Sequence, residues 1–254
     1  MSYARYLRLD EVLAAQEVRS DAHDELLFIV IHQASELWLK LCLHELRVAR
    51  DHLAAGRLRP AFKMLARVAR VQTQLAQSWD VLATMTPSDY AQIRPHLGGS
   101  SGFQSHQYRL LEFVLGARNP AMLEMHTGAA RAELEAEMAR PSLYETALRA
   151  LRAAGLDIPD RAPEGATPPS DPRVEAAWAA IYRDPETHWD LYELAEKLVD
   201  LEINVARWRF AHLTTVERII GYKTGTGGSP GVPYLASVVK QRFFPDLMAV
   251  RTQL

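Results

Sequence analysis

Long segments with an apolar residue every three or four positions constrain the fold of this chain more than any other feature. Because such spacing puts apolar side chains on one face of an α-helix, it favours helices over strands. No segment alternates apolar and polar residues convincingly, as a half-buried strand does. The pattern therefore predicts an all-α protein. In residues 24–53 the spaced apolar positions are Leu27, Val30, Ile31, Leu37, Trp38, Leu41, Leu46 and Val48.

The same periodicity predicts further helices, and glycine and proline mark several of their ends. Pro60 suits a first helical turn, Thr86-Pro87 is expected to end a helix, and Gly116 lies just past another. Residues 161–172 hold four prolines and are predicted to be a loop, too short to separate two domains. We therefore expect a single all-α domain spanning residues 1–254. The further helices are predicted at residues 59–85, 105–115, 133–138, 142–153, 174–182 and 186–220.

Composition narrows the class of partner and the compartment. A net charge of −2 gives no reason to expect nucleic acid or an anionic membrane. The single cysteine, Cys42, excludes an intramolecular disulfide and fits a reducing cytosol. The first residues lack the apolar core of a signal peptide, and the longest purely apolar run nearby covers only residues 26–31. We expect a cytoplasmic protein without a membrane segment.

Glycine is concentrated in two short stretches between predicted helices. Eight of the thirteen glycines lie in residues 98–102 (GGSSG) and 221–231 (GYKTGTGGSPG). Glycine allows a ligand to approach the backbone closely, so the two stretches are expected to form two sides of one site. Because glycine-rich chain loses much entropy on ordering, we predict that residues 224–231 are mobile when the site is empty.

Two of the nine histidines lie where they could serve a cofactor. His32 lies in an apolar helical stretch, with Phe28 one turn before it on the same face. His212 lies about two turns before the second glycine stretch, with Arg207 and Arg209 on the same segment. An axial imidazole, apolar walls and guanidinium groups together suit a flat, anionic, aromatic cofactor. Core histidines and solvated arginines explain the same residues, and the spacing leaves both interpretations open.

Tyr90 and Arg94 are four residues apart, so on a helical turn they point the same way. A phenol beside a guanidinium suits a carboxylate ligand, although a surface turn with a solvated arginine fits the spacing equally.

The sequence lacks the motifs of three other common kinds of site. It contains no HExxH or CxxC zinc motif, no nucleotide-binding glycine loop and no GxSxG nucleophile motif.

Six strings, in order from the beginning of the chain to near its end, together closely resemble the tryptophan 2,3-dioxygenase family. No single string would be specific for the family, but the six strings together in this order are. They are Tyr3-x-x-Tyr6-Leu-Arg-Leu-Asp, Phe28-x-x-x-His32-Gln-x-Ser-Glu-Leu-Trp-Leu-Lys, Thr86-Pro-Ser-x-Tyr90, Ser100-Ser-Gly-Phe-Gln-Ser, Arg-Phe-x-His212 and Gly225-Thr226-Gly-Gly-Ser.

The resemblance implies a multi-helix, haem-binding bundle that assembles as a homotetramer. It implies haem b as cofactor and insertion of both atoms of O2 across the indole C2–C3 bond of L-tryptophan, giving N-formylkynurenine. His212 matches the proximal haem ligand, and His32 the distal histidine that hydrogen-bonds the indole N–H. The other matched positions are Tyr90 and Arg94 for the substrate carboxylate, Thr226 for its ammonium, Phe28, Ser101 and Gly102 for the ring, Trp79 near the haem, and Tyr3 and Tyr6 reaching a neighbouring subunit's site.

The chain departs from the family pattern at two places. Tyr3 stands only two residues from the first residue, which puts its reach into a neighbouring site in doubt. His106 replaces an apolar or aromatic residue, and we expect it to face solvent. Three alternatives remain open: oxidation of a substituted tryptophan, a non-catalytic haem or tryptophan sensor, and a helical scaffold without a cofactor.

Overall fold

The computed structural model describes residues 1–159 and 169–254. All regular elements in these residues are helices and none is a strand, which confirms the all-α prediction. The α-helices are α1 (Tyr3–Leu7), α2 (Leu9–Val12), α3 (Glu25–Ala54), α4 (Leu58–Leu82), α5 (Pro87–Ile93), α6 (His106–Leu115), α7 (Gly128–Met138), α8 (Leu143–Ala153), α9 (Pro172–Arg183), α10 (Trp189–Ile219), α11 (Val232–Val239) and α12 (Pro245–Ala249).

Three long helices form the framework. The short turn at residues 55–57 folds α4 back antiparallel against α3, and α10 packs on α4. Helices α6 and α8 also contact α3, while α11 packs on α10. The main apolar core lies between these helices, and its largest fully buried side chains are Trp178, Phe113, Phe243 and Phe244. A smaller apolar cluster lies where the beginning of α3 meets the end of α4, and it supports the candidate site described below.

Most predicted helices are present, and the periodic pattern placed the long ones well. Helices α3, α6 and α8 begin within one residue of the predicted positions. Helix α7 begins at Gly128, five residues earlier than predicted. The proline-rich loop was predicted to reach residue 172, but Pro172 is the first residue of α9, where Asp171 caps the helix through its side chain. Residues 160–168 of that predicted loop lie outside the described residues.

The prediction that Thr86-Pro87 ends a helix was wrong. Helix α4 ends at Leu82, and Thr86 instead begins α5. The Thr86 hydroxyl accepts a hydrogen bond from the Asp89 backbone N–H, and the Asp89 carboxylate accepts one from the Thr86 N–H. This reciprocal capping satisfies N–H groups that would otherwise lack partners, with Pro87 in the first turn. The cap fixes the short helix that carries Tyr90.

Helix α3 has two different sides. By length and mean hydropathy (1.5 over an 18-residue window), it is the one helix in the described ranges that could cross a membrane. One side packs on α4, α6 and α8, and apart from Glu25 its buried residues lie in the second half of the helix, between Leu39 and Leu53. The other side leaves Leu26, Val30, Leu37 and Trp38 exposed.

Candidate functional site

A cavity of about 230 Å³ lies where the beginning of α3, the end of α4 and the end of α10 meet. Both glycine-rich stretches border it, the first through residues 100–102 and the second through Gly225, Thr226, Ser229 and Gly231. The two stretches therefore form two sides of one cavity, as the sequence predicted.

The two stretches touch each other directly. The Thr226 hydroxyl donates a hydrogen bond to the Ser100 carbonyl oxygen. A Cβ atom on Gly227 would lie 2.6 Å from the Ser101 Cβ, closer than two carbon atoms can pack. Glycine is therefore required at residue 227 for this close approach, whereas the predicted mobility of the empty loop stays a prediction.

His32 lies on α3 and lines the cavity. Its Nδ1 is 2.7 Å from the Phe28 carbonyl oxygen, which can only accept a hydrogen bond. The proton of the neutral ring therefore sits on Nδ1, and Nε2 carries the lone pair. Burial lowers the pKa of His32 against the opposing effects of the Phe28 hydrogen bond and the Glu36 charge. The side chain is thus neutral at pH 7 and can accept a hydrogen bond from a ligand through Nε2.

His212 lies near the end of α10 and lines the same cavity. Burial, with a smaller contribution from His32, lowers its pKa to about 4. Its ring stacks on Trp79, with ring centroids 4.4 Å apart and planes inclined by 10°. No hydrogen bond occupies its ring nitrogens among residues 1–159 and 169–254. A neutral imidazole with an available lone pair is the form that binds iron.

Trp79 and Trp208 form the aromatic wall beside His212, with ring centroids 5.9 Å apart. Both indole Nε1 atoms are sealed from solvent, and neither has an acceptor in the described part of the chain. Leaving a buried donor unpaired costs about 1–3 kcal/mol. This wall therefore suits a flat ligand that also supplies acceptor atoms.

Tyr90 and Arg94 are brought together by α5 and the turn that follows it. Burial raises the pKa of Tyr90, and the nearby positive charge of Arg94 opposes that rise. Arg94 Nη2 donates to the Thr224 carbonyl oxygen at 2.6 Å, so the guanidinium joins α5 to the second glycine stretch. Arg94 Nη1 is buried and has no acceptor among the described residues. The phenol and guanidinium form a donor pair for an anion.

The first glycine stretch is held in place by its own caps. The Ser101 hydroxyl accepts from the Phe103 backbone N–H, and the Gln104 side chain accepts from the Ser101 N–H. These bonds form a single helical turn at Gly102–Gln104. Ser101 and Gly102 both line the cavity, as does Phe28, whose ring centroid is 4.2 Å from that of His32.

Three other residues singled out from the sequence lie away from the cavity. Tyr3 and Tyr6, on α1, have 76% and 74% of their surface exposed, and neither lines the cavity of their own chain. His106 Nε2 lies 3.2 Å from a carboxylate oxygen of Glu133, and about a third of its side chain is exposed. His106 is therefore a partly exposed partner of Glu133, away from the cavity wall.

The sequence did not single out Tyr108, Arg109 and Tyr234, although all three line the cavity. Arg109 carried a usable signal, because it is a charged residue inside the apolar run of α6. Of the two arginines noted on α10, Arg209 is buried at the cavity wall and Arg207 is exposed.

Comparison with known proteins gives one family over nearly the whole chain. The sequence model of the family described as tryptophan 2,3-dioxygenase matches residues 1–162 and 173–254. The tryptophan 2,3-dioxygenase of Erythrobacter litoralis is 64% identical over 260 aligned positions, covering 100% of this chain and 98% of that protein. The enzymes so named from Burkholderia pseudomallei and Caulobacter vibrioides are 56% and 54% identical, covering 100% of this chain and 85% and 98% of theirs.

Proposed function

The chain belongs to the tryptophan 2,3-dioxygenase family, and we propose that it is a haem-dependent enzyme that converts L-tryptophan and O2 to N-formylkynurenine. The observation that carries the proposal is the placement of two neutral histidines, His32 and His212, on one apolar cavity closed by two glycine stretches. The residues around the cavity support binding of both haem and an amino acid with an indole ring.

The wall around His212 fits haem b. His212 would hold the iron through its neutral imidazole, while Trp79 and Trp208 would line the cofactor pocket beside it and could offer their unpaired N–H groups. Haem bound there supplies the binding and activation of O2. His212 is proposed as the protein ligand of the haem iron, because its neutral imidazole lines the cavity beside the aromatic wall.

The amino-acid end of the substrate needs partners for both charges, because burying either charge unpaired costs several kcal/mol. Arg94 and Tyr90 would bind the carboxylate, since a guanidinium can donate two parallel hydrogen bonds to it. The buried and unpaired Nη1 of Arg94 supports this role. Thr226 would accept a hydrogen bond from the ammonium, together with a haem carboxylate.

The indole ring would lie between Phe28 and the backbone of Ser101–Gly102. His32 would accept the indole N–H through Nε2, because its Nδ1 proton is held by the Phe28 carbonyl oxygen. His32 thereby orients the substrate, and the proposal does not require it to remove a proton. If His32→Ala abolishes turnover of tryptophan and of 1-methyltryptophan alike, its role is steric and the hydrogen-bond part of the proposal is refuted.

We propose a cytoplasmic homotetramer in which Tyr3 and Tyr6 reach the site of a neighbouring subunit. Both tyrosines are largely exposed and line no part of their own chain's cavity, which leaves them available to a neighbouring subunit. The exposed apolar side chains on the outer side of α3 offer a surface for subunit contact. Cys42 is buried and free, which fits a reducing compartment.

The decisive experiment measures haem and product together. Protein purified with supplied haem should show a Soret band, and its absence would favour a helical scaffold. Reduced, aerated protein should form N-formylkynurenine from tryptophan; a Soret band without product would favour a sensor. Ring-substituted tryptophans run in parallel would reveal a specialised enzyme if one of them is preferred.

The ligand assignment needs a matched variant. His212→Ala should lose the Soret band of the purified protein, whereas His188→Ala should keep it. His188 lies at the opposite end of α10, outside the cavity wall. Equal haem content in the two variants would refute His212 as the iron ligand.

A further inference from the structure

Two buried arginines line the cavity wall close to His212. Arg109, on α6, and Arg209, on α10, are only 5% and 4% exposed. Arg209 precedes His212 by three residues, about one helical turn, so both side chains leave the same part of α10. We propose that Arg109, with the Tyr234 hydroxyl beside it, is the binding site for a carboxylate of the haem. The inference rests on the proposed function, because it assigns one group of that cofactor to residues of this chain.

One carboxylate is shared by the two buried guanidinium groups at this wall. Arg109 Nη1 donates to one oxygen of Glu112 at 2.6 Å, and Arg209 Nη2 donates to the other at 2.9 Å. The second buried carboxylate, Glu202, faces Arg209. Arg109 therefore shares its carboxylate partner with another buried cation, and a further anion beside it would stabilise its charge.

The two arginines differ in how fully they are hydrogen-bonded. Arg209 donates from Nε to the Tyr108 hydroxyl, from Nη1 to backbone carbonyl oxygens at the end of α11, and from Nη2 to Glu112. Arg109 donates from Nη1 to Glu112 and Met122, whereas its Nε is sealed from solvent without an acceptor in the described residues. Nε belongs to the guanidinium edge that can bind a carboxylate with two parallel hydrogen bonds. Arg109 therefore keeps on that edge a donor without a partner among the described residues, and it also interacts with the Tyr234 hydroxyl.

The surroundings hold this guanidinium in a fixed place. Arg109 lies over the ring of Tyr108 at 4.6 Å and that of Phe103 at 5.5 Å from the centroids. The Tyr234 ring packs edge-on against Phe103, 5.0 Å between centroids. Burial raises the pKa of Tyr234 and the nearby Arg109 charge opposes the rise, so its hydroxyl remains a proton donor at pH 7. A carboxylate here would meet two donors that the fold has already positioned.

The proposal is tested by the rate at which haem leaves the holoenzyme. Wild-type and Arg109→Gln proteins, each loaded with haem or with haem dimethyl ester, are mixed with excess apomyoglobin as the haem acceptor. Native haem should leave the variant about tenfold faster, which corresponds to about 1.4 kcal/mol. The esterified haem, which cannot form the ion pair, should leave both proteins at the same rate. Arg109→Lys should give an intermediate rate with native haem, because it keeps the charge and loses the paired donors.

Arg118→Gln is the matched control. Its side chain is 7% exposed, pairs with Glu145 and also has a sealed Nε without an acceptor, but it does not line the cavity. The Arg118→Gln substitution should change the release rates of native and esterified haem by the same factor. Equal acceleration of both haems in Arg109→Gln would mark a purely structural role and overturn the proposal, as would no acceleration at all.

The other source of a carboxylate is the substrate. If Arg109→Gln retains haem normally but weakens tryptophan binding while leaving tryptamine binding unchanged, Arg109 binds the substrate carboxylate and the proposal is overturned. If the wild-type protein retains no haem, the proposed function itself fails, and the inference fails with it. Retention of haem by the wild type without a selective Arg109 effect refutes the inference alone.

Discussion

Gly227→Ala should prevent the two glycine stretches from closing on each other. The added Cβ would lie 2.6 Å from the Ser101 Cβ and 3.2 Å from its Oγ, whereas ordinary contacts are 3.4 Å or longer. The backbone of Gly227 is not in the left-handed region, so alanine adds this steric conflict without backbone strain. The Ser101 side chain caps the next turn and cannot move freely, because the Phe103 N–H bonds to it.

The size of the effect of Gly227→Ala follows from the contact between the two glycine stretches. Forcing an extra carbon into a well-packed contact costs about 1–3 kcal/mol. The cost falls on the closed loop and is relieved when the loop opens, so it should appear in substrate binding and leave the stability of the helical core unchanged. A cost of about 2 kcal/mol would raise the KM for tryptophan about 30-fold.

The assay is a steady-state measurement of KM for tryptophan beside thermal unfolding. Gly99→Ala is the control: Gly99 lies on the facing stretch, lacks a positive φ and has nothing within 4 Å of an added Cβ. Ser101→Gly should partly restore KM in the Gly227→Ala background, because it removes the opposing Cβ, and the double-mutant cycle separates this rescue from the lost cap. An unchanged KM in Gly227→Ala, or no coupling with Ser101, would refute the reasoning.

Three further predictions follow from the same structure. Arg94→Gln should raise the KM for tryptophan by about 10–100-fold, since hydrogen bonds to charged groups are worth about 1.5–3 kcal/mol. Binding of tryptamine, which lacks a carboxylate, should be nearly unaffected, and an equal loss of affinity for both ligands would contradict a carboxylate role. Because the pKa of His32 is lowered, its Nε2 lone pair remains available below pH 6.5 and is lost at more acidic pH, where tryptophan binding measured by optical titration should weaken. Binding of 1-methyltryptophan should lack this pH dependence, and identical pH profiles for the two ligands would count against the hydrogen bond. Trp178→Ala should lower the free energy of unfolding in urea by about 3–5 kcal/mol, because the Trp178 side chain is fully buried. The Trp189 side chain is 57% exposed, so Trp189→Ala should cost less than about 1 kcal/mol, and similar losses in the two variants would refute a core role for Trp178.

The sequence predicted the helices that depend on local periodicity. Helices α3, α6 and α8 were placed within one residue at their beginnings, because an apolar stripe and a cap are encoded in neighbouring residues. The short helices α1, α2, α11 and α12 were missed, because four to eight residues hold too few periods to show a pattern. The Thr86-Pro87 error has a similar cause, since the same pair can follow one helix or begin the next.

The candidate site was predictable only in part. The resemblance to the family identified His32 and His212, and the spacing placed Arg94 beside Tyr90. Arg109 was not singled out despite its charge inside the apolar run of α6, and no pattern pointed to Tyr234. These two residues are 125 positions apart in the chain and meet only when α11 folds against the cavity. Side-chain pairing at such separation has no local signature.

By itself, the sequence determined that the chain is helical and that two glycine stretches flank one site, since helix periodicity and glycine's backbone freedom are properties of short segments. Only the tertiary structure decided the chemistry of that site. It fixed the Nδ1 proton of His32 through Phe28, placed His212 where burial lowers its pKa, and left the Nε of Arg109 without an acceptor among the described residues. The physical reason is that protonation, burial and hydrogen-bond partners depend on which distant segments pack together.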